Sequence, residues 1–245
     1  MVMDKGMGLR ETRELLETTE NYFDYLKLAF GTPALYNLEL LVEKISLVKS
    51  HGILIYPGGT FLEIAIMQDK LKDFLDISWD VGFSAIEVSD GTVRLSAYQR
   101  QKAICAAAEK GFVVLTEVGS KNPAEKTSVK EAVAQIKSDL EQGAVKVIME
   151  ARESGKGIGL FNDSGEIRDD YFNNLCTGLS EIDNIIWEAP HKNQQQQLIL
   201  RLGPNVSLGN IPPAEVMSLE ALRLGLRSDT LRPLVEKYLV GCYQC

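Results

Sequence analysis

FVVLTEVG, residues 112–119, is an apolar run that ends in a glutamate, and the rest of the chain can be read outward from it. Three other short runs close in the same way: AIE at Glu87, VIME at Glu150 and IIWE at Glu188. The four glutamates are 30, 33 and 38 residues apart, about one strand-plus-helix unit each. Alternation on that period predicts a parallel sheet, and eight units close it into a (β/α)8 barrel. Side chains alternate along a strand, so Glu117 shares a face with Leu115 and Val113, and Glu150 with Ile148. Carboxylates at the C-terminal ends of successive strands meet on the rim where such barrels do chemistry. Four bare anions there repel one another, and a divalent cation relieves the repulsion.

Further strands are expected at YLKLAF (25–30), ILIY (53–56), SAIEVS (84–89), VKVIMEA (145–151), NIIWEAP (184–190) and NVSLGNI (205–211). The first strand is short, MVMD before Lys5-Gly6, and is expected to be truncated. Helical periodicity marks residues 9–21, a stretch with Leu40, Leu41, Ile45 and Val48 on one face, and residues 61–79. It returns at 97–110, 129–142, 169–179, 192–202 and 213–225, and Gly52, Gly111 and Gly143 stand where helices end. No linker or low-complexity tract interrupts the series. Residues 1–230 are therefore expected to form one α/β (β/α)8 TIM barrel, with 231–245 as a helical C-terminal tail.

The bulk numbers agree. The chain has 245 residues, close to the ~250 of one such barrel, and is 45% hydrophobic, enough for a full core. A net charge of −8 argues against a nucleic-acid surface, yet local lysines can still make a pocket attractive to a small anion. No apolar run is long enough for a membrane span, and the N-terminus lacks a signal-peptide core, so the cytoplasm is the expected location. The C-x-x-C at Cys242 and Cys245 is half a zinc site at best.

Hard carboxylate oxygens at Glu87, Glu117, Glu150 and Glu188 suit Mg2+, which keeps several waters and takes few protein ligands. The competing reading pairs some of these glutamates with barrel lysines such as Lys27. A lysine inside an apolar strand is costly unless it is paired or functional, which singles out Lys27. Lys121, four residues past Glu117, is the other site candidate. A lysine among carboxylates keeps its proton and can act as a general acid toward a carbanion. Lys5 ends strand one, and Arg152 and Lys156 flank Glu153 after strand six. The loops Pro57-Gly58-Gly59-Thr60 and Gly155-Lys156-Gly157-Ile158-Gly159 offer backbone N–H groups to an anion or a closing lid. Barrel phosphates often sit near strands seven and eight, here Asn210-Ile211 with Arg227 nearby. His191 is a weaker candidate, His51 lies at the opposite rim, and Gln195 is in reach of a ligand.

Taken in order, these segments resemble the phosphosulfolactate synthase family. The strings that carry the resemblance are DKG at 4–6, Lys27 with FGT at 30–32, YPGGT at 56–60, EVSDG at 87–91, LTEVG at 115–119 with Lys121, EARESGKGIGLF at 150–161, EAP at 188–190 and SLEALRLGLRSDT at 218–230. The chain departs from the family pattern around Ala29 and Gly209. The resemblance implies a Mg2+-dependent addition of sulfite to phosphoenolpyruvate, giving (R)-phosphosulfolactate, a step towards coenzyme M in methanogens. It implies a carbon–sulfur lyase run in the synthetic direction by a homo-oligomer, with no nucleic-acid or membrane partner. In that scheme Lys121 is the acid and Lys27 the second choice. Lys5, Arg152, Lys156, Gly58, Gly59, Thr60 and Asn210 hold the anionic substrates, and the four glutamates hold Mg2+. A Schiff-base aldolase using Lys27 or Lys121, or a non-catalytic barrel with an assembly or stress role, are the alternatives.

Overall fold

A computed structural model describes residues 1–122, 127–233 and 235 of the chain. Eight strands line up in sequence order: β1 (Val2–Asp4), β2 (Tyr25–Leu28), β3 (Leu54–Pro57), β4 (Ala85–Val88), β5 (Val113–Val118), β6 (Lys146–Met149), β7 (Ile185–Glu188) and β8 (Leu208–Gly209). Between and after them, among the described residues, lie α1 (Leu9–Thr19), α2 (Leu38–Ser50), α3 (Gly59–Met67), α4 (Leu71–Asp80), α5 (Ala97–Glu109), α6 (Val129–Glu141), α7 (Asp169–Gly178), α8 (Lys192–Leu202) and α9 (Val216–Arg223).

The strands pair in parallel as a three-stranded sheet, β1-β2-β3, and a five-stranded sheet, β4-β5-β6-β7-β8. Hydrogen bonds cross both gaps between them. At one, Ser84 N donates to Ile55 O at 3.1 Å while Ser84 Oγ accepts from Ile55 N at 2.8 Å. At the other, Met3 N donates to Ile211 O at 3.0 Å and Ile211 N to Met1 O at 3.2 Å. The eight strands thus run round a ring.

Alternation along the strands builds two cores. Tyr56, Ala85, Leu115, Ile148 and Ile186 point inward and pack with Met1 as a plug inside the ring. Their neighbours, among them Ile55, Ile86, Val114, Val147 and Trp187, point outward into the layer under the helices. Full burial of each such side chain is worth about 1.5–3 kcal/mol. Leu115 in the plug fixes the register of β5, so Glu117, two residues on, points inward at the C-terminal rim.

Two expectations need correction. The helix expected over 61–79 is two helices, because Asp69 adopts φ 56° between them. Asp69 N caps Ile66 O at 3.0 Å and Lys70 N reaches back to Ala65 O at 2.8 Å, which closes α3 in the manner of a Schellman turn. The apolar pattern runs through this break, so periodicity alone does not reveal it. Strand eight is only Leu208–Gly209, since Asn210 turns to φ 55°. Gly209 lies so near the plug that a Cβ there would meet Met1 Cε at 2.6 Å. Among the described residues no helix is long and apolar enough to cross a membrane. Cys242 and Cys245, and the helical tail expected beyond 235, lie outside the described residues.

Candidate active site

The loops at the C-terminal rim enclose a cavity of about 380 Å³. Lys27, Gly58, Gly59, Thr60, Glu87, Glu117, Lys121, Glu150, Arg152, Glu188 and Asn210 all line it, from seven strands or the loops after them. The strand-end glutamates therefore converge as expected, and so do both lysines.

Lys27 lies on β2, almost fully buried, and its ammonium spans the ring. Nζ is 2.9 Å from Glu87 Oε2, 3.4 Å from Glu117 Oε2 and 3.8 Å from Glu188 Oε1. Lys121, partly open to the cavity, stands 2.9 Å from Glu117 Oε1 and 3.5 Å from Glu150 Oε2. Its Nζ also lies 3.4 Å from Thr60 Oγ1. Glu117 is thus the anion shared by both lysines. Backbone donors fix its neighbours: Gly59 N binds Glu87 Oε1 at 2.8 Å, Ala151 N binds Glu188 Oε2 at 2.8 Å, and Arg152 N binds Glu150 Oε1 at 2.5 Å. A side chain at Gly59 has no room, since a Cβ would sit 2.5 Å from Ser89 Cβ.

The electrostatics divide the four carboxyls. Burial alone would raise Glu117, but Lys121 and Lys27 outweigh it and hold Glu117 well below the usual carboxylate range. Burial, with the negative charge of Glu117 and Glu188, pushes Glu150 well above that range. Burial likewise lifts Glu188 to about 7 against the opposing pull of Lys27. Glu87 is raised by burial too, with Lys27 again opposing. Burial disfavours both ammoniums, yet the surrounding carboxylates more than offset it and push Lys27 and Lys121 upward. Both lysines are firmly protonated.

Can these residues hold a divalent cation? Asn210 Oδ1 is buried without a hydrogen-bond partner, while Glu87 Oε2 and Glu150 Oε2 face the ammoniums of Lys27 (2.9 Å) and Lys121 (3.5 Å); all three residues line the cavity. Hard oxygens of that kind fit Mg2+, which usually takes one or two carboxylates and completes its shell with water and substrate. Among the described residues no three or more acidic, His or Cys side chains are placed to hold a metal together. Two ammoniums wedged between the glutamates prevent a four-carboxylate cage.

At the mouth, Lys5 pairs with Glu153 across the opening, joining the loop after β1 to the loop after β6. Asp4 shapes the first of these loops, taking Gly6 N and Met7 N on Oδ1 at 2.7 Å each and pairing with buried Lys44. Lys156 is exposed and is not among the cavity-lining residues. Its glycine loop turns back on itself and is clamped from α8 by Gln194 Nε2, which donates to Gly155 O at 2.6 Å. His191 contacts Ser154 O at 2.9 Å, and Gln195 is tied to Ala189 O at 3.2 Å and Glu215 Oε2 at 3.3 Å. None of these three lines the cavity. Arg227 pairs with Asp229, and His51 pairs with Glu20.

Sequence reading missed a second layer. Arg100 of α5 grips Asp139 with Nε (2.9 Å) and Nη2 (2.6 Å), Asp90 with Nη1 (2.8 Å), and the Glu117 carbonyl with Nη2 (3.0 Å). Ser89 and Glu63 stand directly behind Glu117. The available signal was an arginine and a glutamate inside otherwise apolar helix faces.

Comparison with known proteins fits this arrangement. The family model for (2R)-phospho-3-sulfolactate synthase (ComA) matches residues 1–229. The phosphosulfolactate synthase of Methanothermobacter thermautotrophicus is 43% identical over 233 residues, 94% of this chain and 90% of that protein. That of Bacillus subtilis is 38% identical over 232 residues, with 94% and 90% covered. Among solved structures, N-acetylneuraminate lyase from Mycoplasma synoviae superposes with a TM-score of 0.57 at 12% identity, covering 96% of this chain and 77% of that one. A 3-hexulose-6-phosphate synthase gives 0.52 at 16%, covering 90% and 97%. At such identities these two speak for the barrel fold alone.

Proposed function

The chain belongs to the phosphosulfolactate synthase family, and from that premise we propose that it adds sulfite to phosphoenolpyruvate with Mg2+ as cofactor, giving (R)-2-phospho-3-sulfolactate. The observation that supports this reading is the pair of protonated lysines held by carboxylates at one rim, beside the unpartnered amide oxygen of Asn210.

In this scheme the sulfite sulfur uses its lone pair to form a bond to the terminal carbon of phosphoenolpyruvate. The double-bond electrons move to C2 and spread into the substrate carboxylate. When bound, Mg2+ supplies Lewis-acid stabilisation of that charge, held through Glu150 with Asn210 or Glu87. Lys121 then delivers a proton to one face of C2, which fixes the configuration. Its raised proton affinity suits a carbanion, a far stronger base than an amine. Glu117 keeps Lys121 and Lys27 apart and aimed inward, and Lys27 adds fixed positive charge deeper in the cavity. Lys5 and Arg152 at the mouth, with the start of α3 at Gly58, Gly59 and Thr60, offset the phosphate and sulfite charge. Lys5 must exchange Glu153 for a substrate anion to do so.

Schiff-base catalysis is the poorer reading, because it needs a neutral amine and both lysines are pushed the other way. The test is direct. Purified protein with phosphoenolpyruvate, sulfite and Mg2+ should yield phosphosulfolactate by phosphorus NMR, and excess EDTA should abolish it. Absence of turnover in both directions with metal-replete protein rejects the proposal.

A further inference from the structure

Ser89 follows β4, fully buried, and lies outside the set of residues that line the cavity. Its Oγ is 3.0 Å from Glu117 Oε1 and 2.7 Å from Glu63 Oε1. Glu63 projects from α3, also buried, and its other oxygen accepts Thr92 N at 3.1 Å and Val93 N at 2.7 Å. Gly91 N, at 3.3 Å, points at Ser89 Oγ from the same loop. A hydroxyl carries one proton, so Ser89 can donate to only one of the two carboxylates at a time. The arrangement is more than packing: a single donor is shared between an oxygen inside the reaction cavity and one behind it.

We infer that Ser89, backed by Glu63, is a positioning residue that holds the Glu117 carboxylate between Lys27 and Lys121 and so sets the aim of Lys121. The inference rests on the proposed synthase reading for its kinetic readout, although its structural readout does not. Ser89 touches no cavity surface, so substrate affinity should be largely blind to it. A misaimed general acid, in contrast, costs rate in the step where the proton moves. Turned toward Glu117, the hydroxyl steadies the anion on which both lysines depend. Turned toward Glu63, it leaves Glu117 to the lysines alone. Glu63→Gln keeps an oxygen for Thr92 N and Val93 N and presents an amide N–H to Ser89 Oγ. That commits the hydroxyl proton to Glu117.

The test is a comparison of S89A, E63Q and the double variant, with kcat, KM and thermal midpoint measured for each. S89A should lower kcat about ten- to a hundredfold, the range for losing a hydrogen bond to a charged group, with KM for phosphoenolpyruvate held within about twofold. E63Q should leave kcat no lower than wild type and raise it by at most about twofold, as the hydroxyl stops dividing its time between two acceptors. In the double variant that gain should vanish, because its messenger is gone. An S89A enzyme with kcat within twofold of wild type overturns the inference. So does E63Q falling below wild type, or a double variant that turns over faster than S89A alone. A crystal structure of S89A separates this inference from the functional reading. Glu117 should leave its place between the two lysines whether or not the wild type makes phosphosulfolactate, and an unmoved Glu117 overturns the inference by itself. Inactive wild-type protein counts only against the proposed reaction.

Discussion

The strands of the two sheets bring opposite charge to the cavity. The three-stranded sheet, β1 to β3, supplies Lys27 and the glycines that open α3 to the lining, while Lys5 stays outside it in its pair with Glu153. The five-stranded sheet, β4 to β8, supplies all four strand-end glutamates and carries its own cavity cations, Lys121 and Arg152, only on the loops after β5 and β6. Lys27 therefore bridges the sheets, meeting Glu87, Glu117 and Glu188 across the ring. Lys121 pairs within one sheet, with Glu117 and Glu150. Two residues of the same type, both bound to Glu117, thus stand in different positions. One is a fixed part of the ring's interior, and the other is a partly open group with room to approach a ligand.

Under the proposed reaction, that contrast gives the chemistry to Lys121 and the cohesion to Lys27, and the largest expected effect tests the first half. Lys121→Ala should lower kcat by about 10²–10⁴-fold, the usual contribution of a general acid, while the thermal midpoint stays close to wild type. Mg2+ binding, followed by titration calorimetry, should survive. Turnover at the wild-type rate would remove Lys121 as the acid. The second half is tested by Lys27→Met, which leaves three buried carboxyls around a missing ammonium. Breaking such a buried set costs about 3–5 kcal/mol, read by denaturant unfolding. If Lys27→Met were as stable as wild type and Lys121→Ala were not, the contrast between the sheets would be reversed.

How much of this was written in the sequence follows from what each residue is tied to. The glutamate-terminated runs gave strands and rim together, because inward alternation is fixed by neighbours such as Leu115 that lie two positions away in the same strand. Lys27 was legible for the same reason: an apolar strand holds no ammonium without partners. That Lys156 lies off the cavity lining is not legible, because nothing local announces that Gln194, 39 positions beyond Gly155, clamps its loop. Ser89 and Glu63 were invisible as a pair, since a serine and a glutamate are ordinary residues until the fold sets them 2.7 Å apart. The wedging of ammoniums between the carboxylates depends on side chains reaching across the ring. No spacing rule encodes that reach.

A smaller effect sharpens the picture inside the five-stranded sheet. Glu150 Oε2 meets Lys121 only at 3.5 Å, whereas Glu117 is held by Lys121 at 2.9 Å and by Lys27 at 3.4 Å. Glu150→Gln should therefore weaken Mg2+ activation about tenfold, in line with the loss of a charged oxygen ligand or its close support. An unchanged Mg2+ titration would exclude Glu150 as a ligand.

The smallest effect is a pH dependence that also separates the carboxyls. Glu188 titrates near 7 in the folded protein against an ordinary 4.5, because burial outweighs Lys27. Between those values the folded state holds a proton that the unfolded state has released, so this group's stabilisation is complete below pH 4.5 and is lost as pH rises through 7. Glu150 shifts in the same direction. Glu117, held low by its lysines, works the opposite way, but its stabilisation is lost only as pH falls below the ordinary carboxylate range, outside this window. The buried Met1 ammonium, lowered to about 5 by burial, works the opposite way in this window, so the comparison is with Glu188→Gln. In chelator, the thermal midpoint of wild type relative to that variant should drop by a few degrees from pH 5 to pH 8, at about 2–4 °C for each kcal/mol lost. A cation favours ionised carboxylates, so added Mg2+ should raise the midpoint more at pH 8 than at pH 5. Equal Mg2+ shifts at the two pH values would mean that the raised carboxyls of the five-stranded sheet are not the groups that meet the metal.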